Sequence, residues 1–129
     1  MLTWLLIAIL LYYAQIFVPS TLRFLDIGMK SYVGSRDDLP PLKGTAARFD
    51  RAAENMKENF PVFAVLAAVA IAMGMGDNSQ VILGAKIFIL ARALYVPLYV
   101  FAVPLVRSLA ALGGWAGIVI MVFALLPMA

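Results

Sequence analysis

Four long stretches of the chain are almost entirely apolar, and short segments rich in polar and turn-forming residues separate them. A helix needs about 20 apolar residues to cross roughly 30 Å of membrane hydrocarbon, and each stretch approaches that length. The stretches cover residues 2–19, 60–75, 80–101 and 104–126. The pattern predicts an all-α membrane protein, a single domain over residues 1–129 built as a four-transmembrane-helix bundle. The predicted helices cover approximately residues 2–33, 45–75, 80–102 and 104–127.

The second apolar stretch is short for a membrane span, so its helix is expected to begin earlier, in the polar segment before it. Thr45 follows a turn-forming segment, Pro40-Pro41 and Gly44, and is the expected N-cap of this helix. Pro61 lies where polar residues give way to apolar ones, and it is expected to bend the helix there. The second helix should therefore protrude from the membrane.

Composition leaves no room for a soluble domain beside these helices. Hydrophobic residues make up 64% of the 129 residues and charged residues 13%, which is more apolar surface than a soluble domain of this size can enclose. The chain contains no cysteine and no histidine, the usual nucleophiles, proton shuttles and transition-metal ligands. We therefore predict no metal site, and any thiol chemistry must use a thiol that the substrate brings.

The distribution of lysine and arginine sets the expected orientation. Most of them lie between the first and second apolar stretches, and cytoplasmic loops collect such residues. The first loop is therefore predicted to be cytoplasmic, with the N- and C-termini outside. The compact loops suggest a bacterial inner membrane, and for a eukaryotic source the alternative is the endoplasmic reticulum. Because these basic residues are not interleaved with aromatic ones, no nucleic-acid partner is predicted.

A stripe of polar residues lies on the second helix just before it enters the membrane. Arg51, Asn55 and Glu58 are spaced i, i+4, i+7 and share one face, with Arg48 beside them. Ionisable groups at this depth point to a polar ligand, a partner chain or an aqueous pocket. The alternative is a ladder of salt bridges at the membrane interface. That ladder would consist of Asp50, Arg51, Glu54 and Glu58.

A second polar face lies on the third helix, where Arg92, Tyr95 and Tyr99 fall within a narrow arc. Arg92 is near the middle of the span, where a guanidinium costs at least ~2.5 to 3.5 kcal/mol. An acid from another helix should compensate it, and Glu58 is the expected partner. The tyrosines alone would be compatible with a belt at the membrane interface.

The third polar element is Arg107-Ser108, close to the start of the fourth helix after Pro104. A helix N-terminus already carries partial positive charge, so an added arginine is favourable when an anion binds between them. The alternative is one more basic residue on the cytoplasmic side.

These three segments together resemble the MAPEG family, the membrane-associated proteins in eicosanoid and glutathione metabolism. The resemblance rests on Arg51-Ala52-x-x-Asn55-x-x-Glu58-x-x-Pro61, Ala91-Arg92-x-x-Tyr95-x-x-x-Tyr99 and Arg107-Ser108. It covers essentially the whole chain. It implies a four-helix subunit that assembles as a homotrimer, with glutathione bound as thiol co-substrate between helices of adjacent subunits.

The resemblance also implies roles for the polar residues. Arg107 would face the sulfur, and Ser108 follows it as in the prostaglandin-isomerising members. The residues expected to bind glutathione are Arg48, Arg51, Asn55, Glu58, Arg92, Tyr95 and Tyr99. Glu54 departs from relatives that have a basic or neutral residue there, which could weaken binding of the glutathione carboxylates. Either Arg23 or Arg36 could supply the basic residue that members place at the inner end of the first helix.

The function implied is that of an integral membrane glutathione-dependent transferase or peroxidase, or an isomerase, acting on lipophilic small molecules that arrive from the lipid. One alternative is a non-catalytic membrane subunit or lipid-binding scaffold with the same fold. Another is a small four-helix drug exporter. Such exporters place an essential acid in the first span, and residues 2–19 contain no charged residue.

Overall fold

The structure, a computed structural model, describes residues 1–35 and 39–128 and shows four helices in these segments. The helices are α1 (Leu2–Val33), α2 (Gly44–Ala72), α3 (Ser79–Val100) and α4 (Pro104–Leu125), and a single 3-10 turn, Leu126–Met128, follows α4. The prediction of an all-α four-helix bundle is confirmed.

Three of the helices are long and apolar enough to cross a membrane, namely α1, α3 and residues Leu105–Leu125 of α4. Helix α2 is long enough but not apolar enough to be included, because its N-terminal half carries the polar stripe. It begins at Gly44 with Lys43 in the cap position and no side-chain cap bond, so the prediction of Thr45 as N-cap is wrong. It continues through Pro61 as one helix and ends at Ala72, shortly before Gly74, whose φ of 70° is left-handed.

Helix α1 extends to Val33, but its backbone is interrupted at Gly28. The φ of 73° at Gly28 is one that glycine adopts without steric cost, and it turns the end of the helix away from its axis. Tyr32 is thereby brought back to share a hydrogen bond with the hydroxyl of Ser20. The hydrophobic periodicity of α1 did not reveal this turn.

The core lies where the four helices meet, and Ala8 of α1 is fully buried in it. The rings of Phe63 and Phe88 are stacked with their centroids 4.4 Å apart, and both side chains are fully buried. Met56 of α2 and Met121 of α4 belong to the same cluster, which therefore joins α2, α3 and α4. The core thus fixes the relative position of the three helices that carry the polar residues.

Helices α3 and α4 approach each other at two glycines. A Cβ atom added to Gly84 would lie 2.6 Å from the carbonyl oxygen of Gly117, and one added to Gly117 would lie 2.6 Å from the carbonyl oxygen of Gly84. Small residues at such a crossing let two membrane helices pack backbone to backbone. This close crossing also brings the neighbouring side chains of α3 and α4 near to one another.

The N-terminus and the connection between α2 and α3 lie at the same end of the bundle. The amino group of Met1 donates a hydrogen bond of 2.7 Å to the carbonyl oxygen of Gly76. The polar stripe begins at the other end of α2, so the long connection between α1 and α2 lies at the opposite end of the bundle. This arrangement agrees with alternating directions for successive helices.

Asn78 caps the first turn of α3, and we expect its replacement by alanine to lower the melting temperature. Its Oδ1 accepts hydrogen bonds from the backbone N–H groups of Gln80, at 3.0 Å, and Val81, at 3.1 Å. Loss of such a cap costs about 1 kcal/mol. Thermal unfolding in detergent measures the change, and Asn78→Asp, which keeps the acceptor, is the control. Equal melting temperatures for both variants and the wild type would contradict this role.

Candidate functional site

The polar stripe of α2 lies against the end of α3 that leads into α4. Arg48 donates a hydrogen bond from Nη1 to the carbonyl oxygen of Val100 at 2.8 Å. Arg51 donates from Nε to the hydroxyl of Tyr99 at 3.1 Å. The structure therefore brings the α2 and α3 polar faces together, although they are far apart in the sequence.

Tyr99 lies between two guanidinium groups. The Cζ atom of Arg107 is 4.8 Å from the centroid of the Tyr99 ring, and Cζ of Arg51 is 5.8 Å from it. Both distances are within the range of cation–π attraction. Arg107 lies in the first turns of α4, so Tyr99 of α3 contacts one cation from α2 and one from α4. The three polar elements of the sequence form one cluster.

The cations of this cluster have no acidic partner among the described residues. The ion pair that the described side chains do form joins Lys57 Nζ and Glu54 Oε1, 2.6 Å apart, on the exposed face of α2. The salt-bridge ladder is therefore wrong for Arg51, whose partner is a tyrosine. The charge of Glu54, the departure from the family pattern, is compensated by Lys57. The cluster around Tyr99 is left with a positive charge that favours an anion.

Among the residues that the structure describes, Arg92 is the most deeply buried charged side chain, with 1% of its surface exposed. Its Nη1 donates to Oδ1 of Asn55, whereas its Nε and Nη2 have no hydrogen-bond partner in the described part of the chain. The expected ion pair with Glu58 is wrong, because Glu58 is exposed and Asn55 is the stripe residue at the level of Arg92. The ring of Phe88 lies 5.4 Å from the Arg92 Cζ and offers it a partial compensation.

The remaining predicted residues surround the cluster. Tyr95 is buried, and its ring centroid is 5.5 Å from that of Tyr99. Glu58 is exposed on α2 one turn beyond Asn55, and Ser108 is exposed beside Arg107. Arg51, Glu58 and Ser108 are thus exposed on the single subunit, whereas Tyr95 is buried.

Arg23 and Arg36 were the two candidates for a basic residue at the inner end of α1. Arg23 donates from Nη1 to the carbonyl oxygen of Pro40 at 3.3 Å, which ties α1 to the segment before α2. Arg36 lies outside the described residues. Arg23 thus has a partner in the α1–α2 connection and not in the cluster around Tyr99.

Two residues near the site were not predicted. Gln15 of α1 is 8% exposed and donates from Nε2 to the backbone carbonyl oxygen of Arg92 at 3.1 Å. Gly114 of α4 makes room for the guanidinium, because a Cβ atom there would lie 2.6 Å from Nη2 of Arg92. A single amide within an otherwise apolar span was the available signal for Gln15. Gly114 is one of two adjacent glycines in an apolar span, a pattern typical of close helix packing that does not indicate the group packed against it.

The comparisons with known proteins agree with this arrangement. The model of the MAPEG family matches residues 1–127 of the chain. No match is found among curated proteins, and none is found among solved structures. The match includes every residue of the polar cluster and all four helices. The chain belongs to the MAPEG family, a family of four-helix membrane proteins of glutathione and eicosanoid metabolism.

Proposed function

We propose that this protein is a glutathione-dependent membrane transferase or peroxidase that activates a thiolate against lipophilic electrophiles. The observation that carries the proposal is the position of Tyr99 between Arg51 and Arg107, two cations without an acidic partner among the described residues. Uncompensated cations beside a membrane are stable when an anionic ligand can occupy the site. Membership of the MAPEG family makes glutathione the natural ligand.

The charges of the cluster complement those of glutathione, which carries two carboxylates and one ammonium group at neutral pH. Arg48 and Arg51 offer guanidinium donors for the carboxylates, and Arg51 is exposed enough to reach a ligand. Glu58, exposed and without an ion-pair partner among the described side chains, offers a carboxylate for the ammonium group. The hydroxyl of Tyr99 adds a polar contact beside them.

In this proposal Arg107 stabilises the sulfur as a thiolate. A free thiol has a pKa of about 8.5, so only a few per cent of it is ionised at pH 7. Lowering that pKa by about two units requires ~2.7 kcal/mol of stabilisation of the anion. A guanidinium in the first turns of α4, together with the positive end of that helix, can supply electrostatic stabilisation of this magnitude.

The thiolate then carries the chemistry. In a transfer reaction the sulfur bonds to an electrophilic carbon, the leaving group departs with its electron pair, and the thiol proton has gone to solvent. In a peroxidase reaction the sulfur attacks one peroxide oxygen and releases an alcohol. The glutathione sulfenic acid so formed is reduced by a second glutathione, which yields the disulfide and water. Neither reaction needs a cysteine or histidine of the protein.

The open surface of the site supports assembly of several subunits. Arg51, Glu58 and Ser108 are all exposed on the isolated subunit, although a thiolate site needs partial shelter from water. We propose a homotrimer in which a neighbouring subunit covers the cluster. We further propose an inner-membrane location with the first loop in the cytoplasm, where glutathione is available.

Calorimetric titration of the detergent-solubilised wild type with glutathione tests the proposal, coupled to an assay with an aromatic electrophile. We expect saturable binding and formation of the conjugate. S-methylglutathione, which has no ionisable thiol, should bind but yield no product. Binding without turnover of any electrophile or peroxide would favour the non-catalytic subunit. Absence of binding, with no change of melting temperature in millimolar glutathione, would contradict the proposal.

A further inference from the structure

Arg92 cannot meet a ligand in the way that the exposed arginines can. Its side chain is 1% exposed, it is covered by α4 at Gly114, and its backbone carbonyl is held by Gln15 of α1. Nevertheless Nη1 reaches the stripe of α2 at one atom, Oδ1 of Asn55. The Asn55 amide is therefore the hydrogen-bonded route by which Arg92 can act on a ligand at the stripe, beside a weaker contact of its Cζ with the Tyr95 ring, 5.9 Å from the centroid.

The chemistry of this contact fixes which way the amide faces. A guanidinium has only donors, so the atom of Asn55 that faces it must be the carbonyl oxygen. The Nδ2 group is then left as the free donor of the amide, and it has no acceptor among the described residues. Asn55 is half-buried and lies on the same helical face as Arg51 and Glu58. Without Arg92 the amide could rotate and present its oxygen instead.

We propose that Arg92 is a positioning residue that orients Asn55, so that Nδ2 donates to an acceptor oxygen of the thiol ligand, a carboxylate or peptide carbonyl of glutathione. This inference rests on the proposed function. It gives a role to a buried guanidinium with two unpartnered nitrogens, Nε and Nη2. Gly114 and Gln15 support this arrangement. Gly114 leaves space for the guanidinium, and Gln15 donates a hydrogen bond to the backbone carbonyl oxygen of Arg92.

A double-mutant cycle tests the proposal, with the dissociation constant of glutathione as the readout. Arg92→Met removes the buried cation and keeps an unbranched side chain of similar length. We expect it to raise the dissociation constant about tenfold, which corresponds to the loss of one oriented hydrogen bond to the ligand. In the Asn55→Ala background the same substitution should change the constant less than about twofold, since no amide remains to be oriented.

Other roles of Arg92 give different results. A direct contact with the ligand, or a purely structural role, would raise the constant by the same factor in both backgrounds, and this would overturn the proposal. If the wild-type protein binds no glutathione, the proposed function itself is contradicted. If the wild type binds glutathione but the effects of the two substitutions are additive, only the inference about Arg92 is contradicted.

Gly114→Ala provides a second route to the same question without altering a polar group. The added methyl group must displace the guanidinium, so weaker glutathione binding is expected. Gly113→Ala is the matched control, because a Cβ atom there meets Ala91 at an ordinary distance of 3.4 Å. Unchanged binding in Gly114→Ala, or an equal loss in both glycine variants, would overturn the proposal.

Discussion

Arg107→Ala is expected to lose most thiol turnover while it retains glutathione binding close to that of the wild type. The guanidinium lies over the ring of Tyr99, 4.8 Å from its centroid, and near the positive end of α4. In our proposal it stabilises the sulfur anion and not the carboxylates. Its removal should return the thiol pKa toward the free value and lower turnover at pH 7 by about tenfold or more.

The control for this prediction is a pair of variants in the stripe of α2. Glu58→Gln and Asn55→Ala should mainly weaken glutathione binding, which raises KM and leaves turnover at saturation less affected. Arg107→Lys keeps the cation and should recover part of the activity. Steady-state kinetics with varied glutathione separates these effects. Equal activity in Arg107→Ala, Glu58→Gln and Asn55→Ala would contradict the assignment of roles.

Gly117→Ala is expected to cause the largest loss of stability. A Cβ atom at this position would lie 2.6 Å from the carbonyl oxygen of Gly84 and 2.7 Å from the backbone nitrogen of Phe88. Backbone atoms cannot yield as a flexible side chain can, so α3 and α4 must move apart. Inserting a methylene into a packed contact costs typically ~1 to 3 kcal/mol. The Phe63–Phe88 stack and the position of Arg107 depend on the same helix pair.

Thermal unfolding in detergent, followed by circular dichroism, measures this loss. Gly113→Ala is again the matched control, since it adds the same methyl group one turn away from the crossing. We expect Gly117→Ala to melt well below both the wild type and Gly113→Ala. A melting temperature equal to that of the control would show that α3 and α4 do not pack as tightly as described.

The helices could be predicted because membrane spans are defined by length and apolarity, which the sequence shows directly. The points where the helices begin, end or bend were less predictable. Helix α2 starts at Gly44 without a side-chain cap, and the turn at Gly28 in α1 depends on a backbone angle that a glycine permits but does not require. Such details follow from tertiary contacts, here the hydrogen bond between Ser20 and Tyr32.

The site could be predicted within each helix but not across helices. Helical spacing placed Arg51, Asn55 and Glu58 on one face, and in the structure Arg51 of this face donates a hydrogen bond to Tyr99. Which stripe residue meets Arg92 depends on the axial shift between α2 and α3, set by the packing of Phe63 on Phe88. No local pattern encodes that shift, so charge complementarity suggested an acid where the structure has an amide.

Thiol activation is the central claim, and the ultraviolet absorbance of the thiolate tests it most directly. The measurement is a pH titration of glutathione bound to the wild-type protein, with Arg107→Ala and free glutathione in parallel. We predict that the bound thiol ionises with a pKa about two units below the free value, and that Arg107→Ala abolishes most of this difference. A bound thiol that titrates like free glutathione would contradict the claim.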